Sequence, residues 1–154
     1  MVVMAGEAPA KKEKKKVPIV EGLFTWPSDK PALIASRCKK CGAVMFPKAA
    51  YCPNPDCEKN PENIEIIELS RRGKLWSWTI QYYAPPPPFK MEPFKPYAIG
   101  MVDLPEGIRV LGILTTTENL KCDMEVELTV GKLYEDDENE YITWMWKPVE
   151  EEKK

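Results

Sequence analysis

Four of the chain's five cysteines fall within twenty residues, as Cys38-Lys39-Lys40-Cys41-Gly42 and Cys52-Pro53-Asn54-Pro55-Asp56-Cys57. Each pair can supply one side of a tetrahedral metal site, and the loop between them lets the second pair fold back onto the first. Four thiolates held this close repel one another strongly without a cation. Zinc removes that repulsion. With four cysteine ligands it keeps no open coordination position, so its chemistry here is structural. Gly42 follows the first pair, where a tight metal knuckle often needs φ > 0. The second pair is less regular, with four residues between Cys52 and Cys57, and two prolines stiffen that loop. Structural zinc is the favoured reading. A pair of disulfides or a redox dithiol fits less well in a chain with no sign of export, and an iron–sulfur cluster is a further alternative.

The sequence has no histidine. This removes the commonest general base, the Ser-His and Cys-His nucleophile pairs, and every histidine-containing metal site. An enzyme built from this chain would need carboxylates, Lys, Tyr or Cys. A stand-alone enzyme with Asp103 or Glu106 as base is a minor reading, and no catalytic residue is assigned. Cys122 has no histidine to lower its pKa and reads as an inert barrel cysteine. The net charge of −2, with only four arginines, argues against nucleic acid as the main partner, since phosphate neutralisation demands a basic surface. No segment reaches the ~18 apolar residues of a membrane span. No apolar stretch of a secretory signal follows the N-terminal charges. A reduced, cytoplasmic protein with no membrane association is expected.

The elements around the cysteines follow from patterning. Residues 1–16 carry a lysine run with no apolar partner and are expected to be a disordered tail. Residues 17–31 form an apolar segment in which Val20, Leu23 and Phe24 have roughly helical spacing, ended by Pro27. Its apolar side chains either pack on this domain or dock on another protein; docking is favoured, with Phe24 and Trp26 as candidate anchors. The ribbon spans residues 32–60, with Leu33 to Arg37 as the strand entering the first knuckle and Val44 to Phe46 as the strand leaving it. Lys39, Lys40 and Lys48 lie in or near the knuckles. A four-thiolate zinc site is formally anionic, so lysines there are expected without any ligand, and phosphate binding is the sharper alternative.

From Ile64 the pattern turns to period two. Strands are predicted over Ile64 to Leu69, Lys74 to Tyr83, Tyr97 to Asp103, Ile108 to Thr115, Met124 to Val130 and Tyr141 to Trp146. Arg71-Arg72-Gly73, Leu104 to Gly107 and Asp136 to Asn139 read as turns. In the second strand Trp76, Trp78, Ile80 and Tyr82 would share one face. Short strands and no convincing helix indicate a mainly β chain: a rubredoxin-like zinc ribbon, then a small antiparallel OB-fold barrel over residues 61–148, then a solvated tail at 149–154. Residues 84–96 interrupt the regular spacing. Four consecutive prolines favour a stiff polyproline II arm, and with Phe89 and Phe94 it reads as a lid over the barrel, a docking arm for a partner or a wall of a ligand channel.

Ribbon followed by barrel, together with local wording, resembles the DUF35 family. The matching pieces are Cys38 to Gly42, Tyr51-Cys52-Pro53 with Cys57, Gly73-Lys74-Leu75-Trp76-Ser77-Trp78-Thr79, Pro96 to Leu104, Glu106 to Arg109, and Leu111 to Leu114. They span about residues 20–147. The four-residue gap between Cys52 and Cys57 departs from the family pattern. The resemblance implies a non-catalytic subunit that docks on a thiolase-fold enzyme in an α2β2 hetero-oligomer and helps to shape its acyl-CoA site. It further implies structural zinc on Cys38, Cys41, Cys52 and Cys57, and a coenzyme A thioester as ligand of the complex, with Lys39, Lys40 and Lys48 as candidate CoA contacts. Phe24, Trp26, Phe89 and Phe94 are the candidate partner contacts. The alternative is a single-stranded nucleic-acid binder, since OB-folds stack bases on aromatic platforms and Trp76, Trp78, Tyr82 and Tyr83 could serve.

Overall fold

The computed structural model describes residues 13–149. Its strands are β1 (Lys15–Pro18), β2 (Ile34–Cys38), β3 (Val44–Met45), β4 (Ile64–Glu68), β5 (Arg72–Gln81), β6 (Tyr97–Asp103), β7 (Arg109–Leu114), β8 (Glu125–Glu135) and β9 (Asn139–Pro148). Among the described residues the only helical element is a single 3₁₀ turn at Pro61–Asn63. The mainly β fold expected from the sequence is therefore the fold observed. The predicted tail residues 1–12 and 150–154 lie outside the described residues.

Strands β5, β6, β7, β9 and β8 close into a barrel, with β8 and β9 pairing to complete the ring and β1 added parallel along β9. Within the ring the ladders are antiparallel except β7–β9, which is parallel and registers only Ile113 with Met145 and Leu114 with Trp146. Alternation explains the core. Ala98, Val102, Val110, Leu114, Val126 and Leu128 point inward around Trp146, which is fully buried. Gly112 is required there, because a Cβ would sit 2.6 Å from the Trp146 indole.

A second sheet, ordered β3-β2-β4, carries the cysteine loops. Here the structure corrects the sequence reading. The strand from Ile64 pairs with β2 and belongs to the ribbon, not the barrel. Its period-two pattern reports a half-buried strand but not which sheet receives it. Two arrangements join the modules. Leu33, just before β2, and Ala35 within it enter the same core as the barrel residues. Between β4 and β5, Ser70 donates its N–H and hydroxyl to Glu106 Oε1 at 2.6 and 2.7 Å, and the Arg71 guanidinium donates to the carbonyls of Pro31 and Leu128, both at 3.0 Å.

Other expectations also change. Lys15 and Lys16 are not tail but open β1. The helical spacing of Val20, Leu23 and Phe24 forms no helix: Thr25 N–H donates to Ala32 and Ile34 N–H to Leu23, both at 2.9 Å, so this segment runs extended beside the start of β2. Arg71-Arg72-Gly73 is not a turn, since Arg72 and Gly73 pair with Glu127 and Val126. A bulge between Leu75 and Ser77 reverses the facing of β5. Leu75 is buried and Trp78 and Ile80 pack on the core, while Trp76 is turned outward.

Candidate metal centre and apolar groove

The Sγ atoms of Cys38, Cys41, Cys52 and Cys57 all lie within 4.8 Å of one another. The closest pairs are Cys41–Cys52 at 3.3 Å and Cys38–Cys57 at 3.8 Å. A tetrahedral zinc with Zn–S bonds of about 2.3 Å holds its sulfurs about 3.8 Å apart, so the cluster fits that ion closely. The pairs are too long for disulfides, and all four cysteines are free. A zinc ion held by these four residues supplies a cross-link between the knuckles and no reactive position.

Local structure explains the convergence. In the first knuckle Gly42, at φ +80°, donates to the Cys38 carbonyl at 2.8 Å, and Cys38 N–H donates to Ala43 at 2.8 Å. The irregular second pair is organised by Asn54. Its side chain accepts from Asp56 N–H at 3.0 Å, and its carbonyl accepts from Cys57 N–H at 3.1 Å. Lys59 Nζ then bridges the carbonyls of Cys52 and Asn54. Sequence reasoning missed Lys59, whose only signal was its position two residues past the last cysteine. The buried Ser36 hydroxyl accepts from Ala49 N–H at 2.9 Å and ties down the loop between the pairs.

The thiols divide electrostatically. The Ala43 N–H, then the Cys52 thiol, hold Cys41 down to about 6. Burial, then the Cys38 thiol, pushes Cys57 up to about 12, and burial also raises Cys52. The Cys41 thiolate forms readily while Cys52 and Cys57 resist, and a divalent cation relieves that conflict by taking the place of the protons.

Lys39, Lys40 and Lys48 are all exposed. Lys40 is committed to Glu58 at 3.0 Å, whereas Lys39 and Lys48 have no carboxylate partner among the described residues. The candidate partner contacts separate clearly. Phe24 is 3% exposed and packs in the core, so it is not free to anchor another protein. Trp26 is half-buried and donates its indole N–H to the Lys16 carbonyl at 3.1 Å. Phe94 is exposed and stands edge-on to Tyr97.

Phe89 belongs to a groove in which the proline loop forms one wall. Trp144 of β9 is met edge-on by Phe46, leaving the ribbon, and by Phe89, from the proline loop, at centroid distances of 5.6 and 5.9 Å. Around this contact lies an open groove of about 710 Å³, walled by Val20, Leu23, Pro47 and Pro86 and floored by the outward side chains of β6 and β7. Its one charged lining residue is Arg109, which Asp103 holds at 2.6 and 3.2 Å and which lies 3.7 Å over the Trp76 ring. The floor is the strand pair on which OB-folds hold ligands.

A closed barrel carrying a four-thiol ribbon on a shared core defines a zinc ribbon–OB-fold protein. The ChsH2 rubredoxin-like zinc ribbon domain matches residues 29–61, and the ChsH2 C-terminal OB-fold domain matches residues 67–131. The benzoylsuccinyl-CoA thiolase subunit BbsA of Thauera aromatica is 39% identical over 134 residues, covering 83% of this chain and 87% of that one. A DUF35 domain-containing scaffold protein of Methanocaldococcus jannaschii is 34% identical over 122 residues, covering 77% and 82%. The chain belongs to this DUF35 family of zinc ribbon–OB-fold proteins. The solved Ltp2-ChsH2(DUF35) aldolase shares the fold, with a TM-score of 0.56 at 22% identity over 76% of this chain and 84% of that one. Among the described residues no helix is long and apolar enough to cross a membrane.

Proposed function

We propose that this chain is a non-catalytic accessory subunit of a thiolase-fold complex acting on acyl-CoA thioesters, in thiolytic C–C cleavage or the reverse Claisen reaction. The observation that carries the reading is its 39% identity with a benzoylsuccinyl-CoA thiolase subunit across 87% of that relative. The same likeness makes benzoylsuccinyl-CoA the first substrate to assay. The chemistry agrees: Claisen chemistry on a thioester needs an activated nucleophile and an acid–base group, and a chain without histidine is poorly equipped for both.

In this reading zinc fixes the ribbon, and the ribbon and barrel dock as one body in an α2β2 assembly. Trp26, Phe89 and Phe94 face the partner. Lys39 and Lys48 meet CoA phosphates, while Lys40 stays with Glu58. The test is purification of the tagged chain from its native host, with mass spectrometry of what co-elutes and a thiolysis assay of the eluate. A thiolase-fold protein in stoichiometric amount, with activity absent from the isolated chain, is the expected result. A clean monomer overturns the reading. A chain carrying only nucleic acid also overturns it, and favours an OB-fold that stacks bases on the exposed Trp76, Tyr82 and Tyr83.

A further inference from the structure

The groove runs beside an unfinished edge of the barrel. Leu104 N–H donates to Ile108 at 3.0 Å, which sets the phase of the β6–β7 ladder. By antiparallel alternation, Val102/Val110 and Gly100/Gly112 exchange hydrogen bonds, whereas Asp103/Arg109 and Met101/Leu111 do not. The backbone groups of Arg109 and Leu111 therefore point away from β6, toward the side where β9 would lie. There β9 registers with β7 only from Ile113 onward, and its earlier residues pair with β1 instead. The Leu111 carbonyl is taken by the Trp144 indole N–H at 3.0 Å. Among the described residues no β7–β9 ladder pair and no turn or loop hydrogen bond engages the Arg109 N–H and C=O or the Leu111 N–H.

We infer that this edge of β7 takes up an extended, uncharged apolar segment of the partner subunit, added as a strand with its side chains in the groove. The inference rests on the accessory-subunit reading and identifies the contact that reading leaves open. Three features select the occupant. Exposed strand edges recruit extended backbone, which supplies a matching row of donors and acceptors. The charge balance excludes an anionic strand: the one charged lining residue, Arg109, is already neutralised by Asp103, so nucleic-acid phosphates find no free cation in the groove. Finally, the groove is continuous with the proline loop through Phe89, so a segment lying on β7 also touches that arm.

Amide hydrogen exchange, on the chain alone and in the complex purified with its partner, tests the inference. The Arg109 and Leu111 amides exchange freely in the isolated chain and become protected in the complex. Leu111→Pro deletes a donor that no ladder pair uses among the described residues. It is expected to speed dissociation of the complex roughly tenfold, the value of one or two edge hydrogen bonds, at unchanged zinc content. Ile66→Ser, on the exposed edge of the ribbon sheet, serves as the control and leaves dissociation unchanged. If Leu111→Pro loses the barrel, exchange on the unaltered chain decides alone. A complex that forms without protection at Arg109 and Leu111, or with protection along β4 instead, overturns the inference and leaves the accessory role standing. No complex at all overturns both. Protection at β7 in a self-associated chain without partner assigns the edge to a second copy and also overturns it.

Discussion

The ribbon and the barrel are both built from strands but are held together by different physics. The barrel buries Leu75, Val102, Val110, Val126, Leu128 and Trp146 in one contiguous core. The ribbon has three short strands, and away from the shared face it buries little beyond Ser36, Cys38, Met45 and Cys52. A ring of large apolar side chains is self-sufficient. A sheet whose buried residues are small needs a cross-link, and the four thiols provide its position.

The largest expected effect breaks this contrast directly. Stripping the metal with a strong chelator, or Cys38→Ser, removes a cross-link of about 10–16 kcal/mol in small zinc domains. Amide signals of residues 32–60 should collapse in a heteronuclear NMR spectrum while the β5–β9 signals persist. Spectra in which both regions survive would show the ribbon to be self-supporting. Acid should act in the same order. Thiolates release the metal as they protonate, so zinc loss should precede barrel unfolding as pH falls, read by a chromogenic zinc chelator beside tryptophan fluorescence.

In the barrel, Trp146→Ala is expected to cost about 3–5 kcal/mol by chemical denaturation. Trp146→Phe should cost far less, because the buried indole N–H has no hydrogen-bond partner and its deletion removes an unsatisfied donor. Equal losses for the two variants would show that indole shape, not buried area, sets the core.

The joint between the regions sits at the next level. Glu106 accepts both bonds from Ser70 and stands in the β6–β7 turn, so Glu106→Ala orphans a backbone N–H at the crossing. A loss of about 1–3 kcal/mol is expected, with the ribbon and barrel transitions drawing apart. Glu106→Gln, which keeps an acceptor, should restore most of it. Should the alanine variant unfold in one transition at unchanged midpoint, the modules are joined by the shared core alone.

The same contrast decides what was legible in the sequence. The metal ligands were legible because a four-thiol site is local: Cys38, Cys41 and Gly42 spell one knuckle within five residues. Alternation exposed the barrel strands for the same reason. Pairing is not local, so β1 hid in a lysine run and β4 was given to the wrong sheet. The bulge at Trp76 hid because period two was carried straight through Leu75 to Tyr82, and one extra residue exchanges the faces. Phe24 was weighed between core and anchor and given to the anchor, because sequence shows an apolar residue but not the core that receives it. The proline loop could be read as one wall of a channel, but the rest of the groove was invisible, since Phe46, Phe89 and Trp144 come from three elements that only the tertiary fold brings together.

The smallest expected effect concerns the outer face of the barrel. The Arg109 guanidinium, chiefly through its hydrogen bond, holds the Asp103 carboxyl below the usual carboxylate range. A folded pKa below the unfolded value contributes stability that is present above about pH 4 and is lost as pH falls through the folded value. Both side chains are well exposed, and exposed ion pairs contribute little. Asp103→Asn should therefore leave the denaturation midpoint at neutral pH almost unchanged and only flatten the acid limb. The sharper readout is electrostatic. Freed from Asp103, Arg109 keeps its stacking on Trp76 and becomes an uncompensated cation at the groove, so weak, salt-dependent binding of a single-stranded oligonucleotide should appear in Asp103→Asn and be absent from the unaltered chain. Equal binding by both would mean that this face already reads nucleic acid, and that neutrality of the groove does not select its partner.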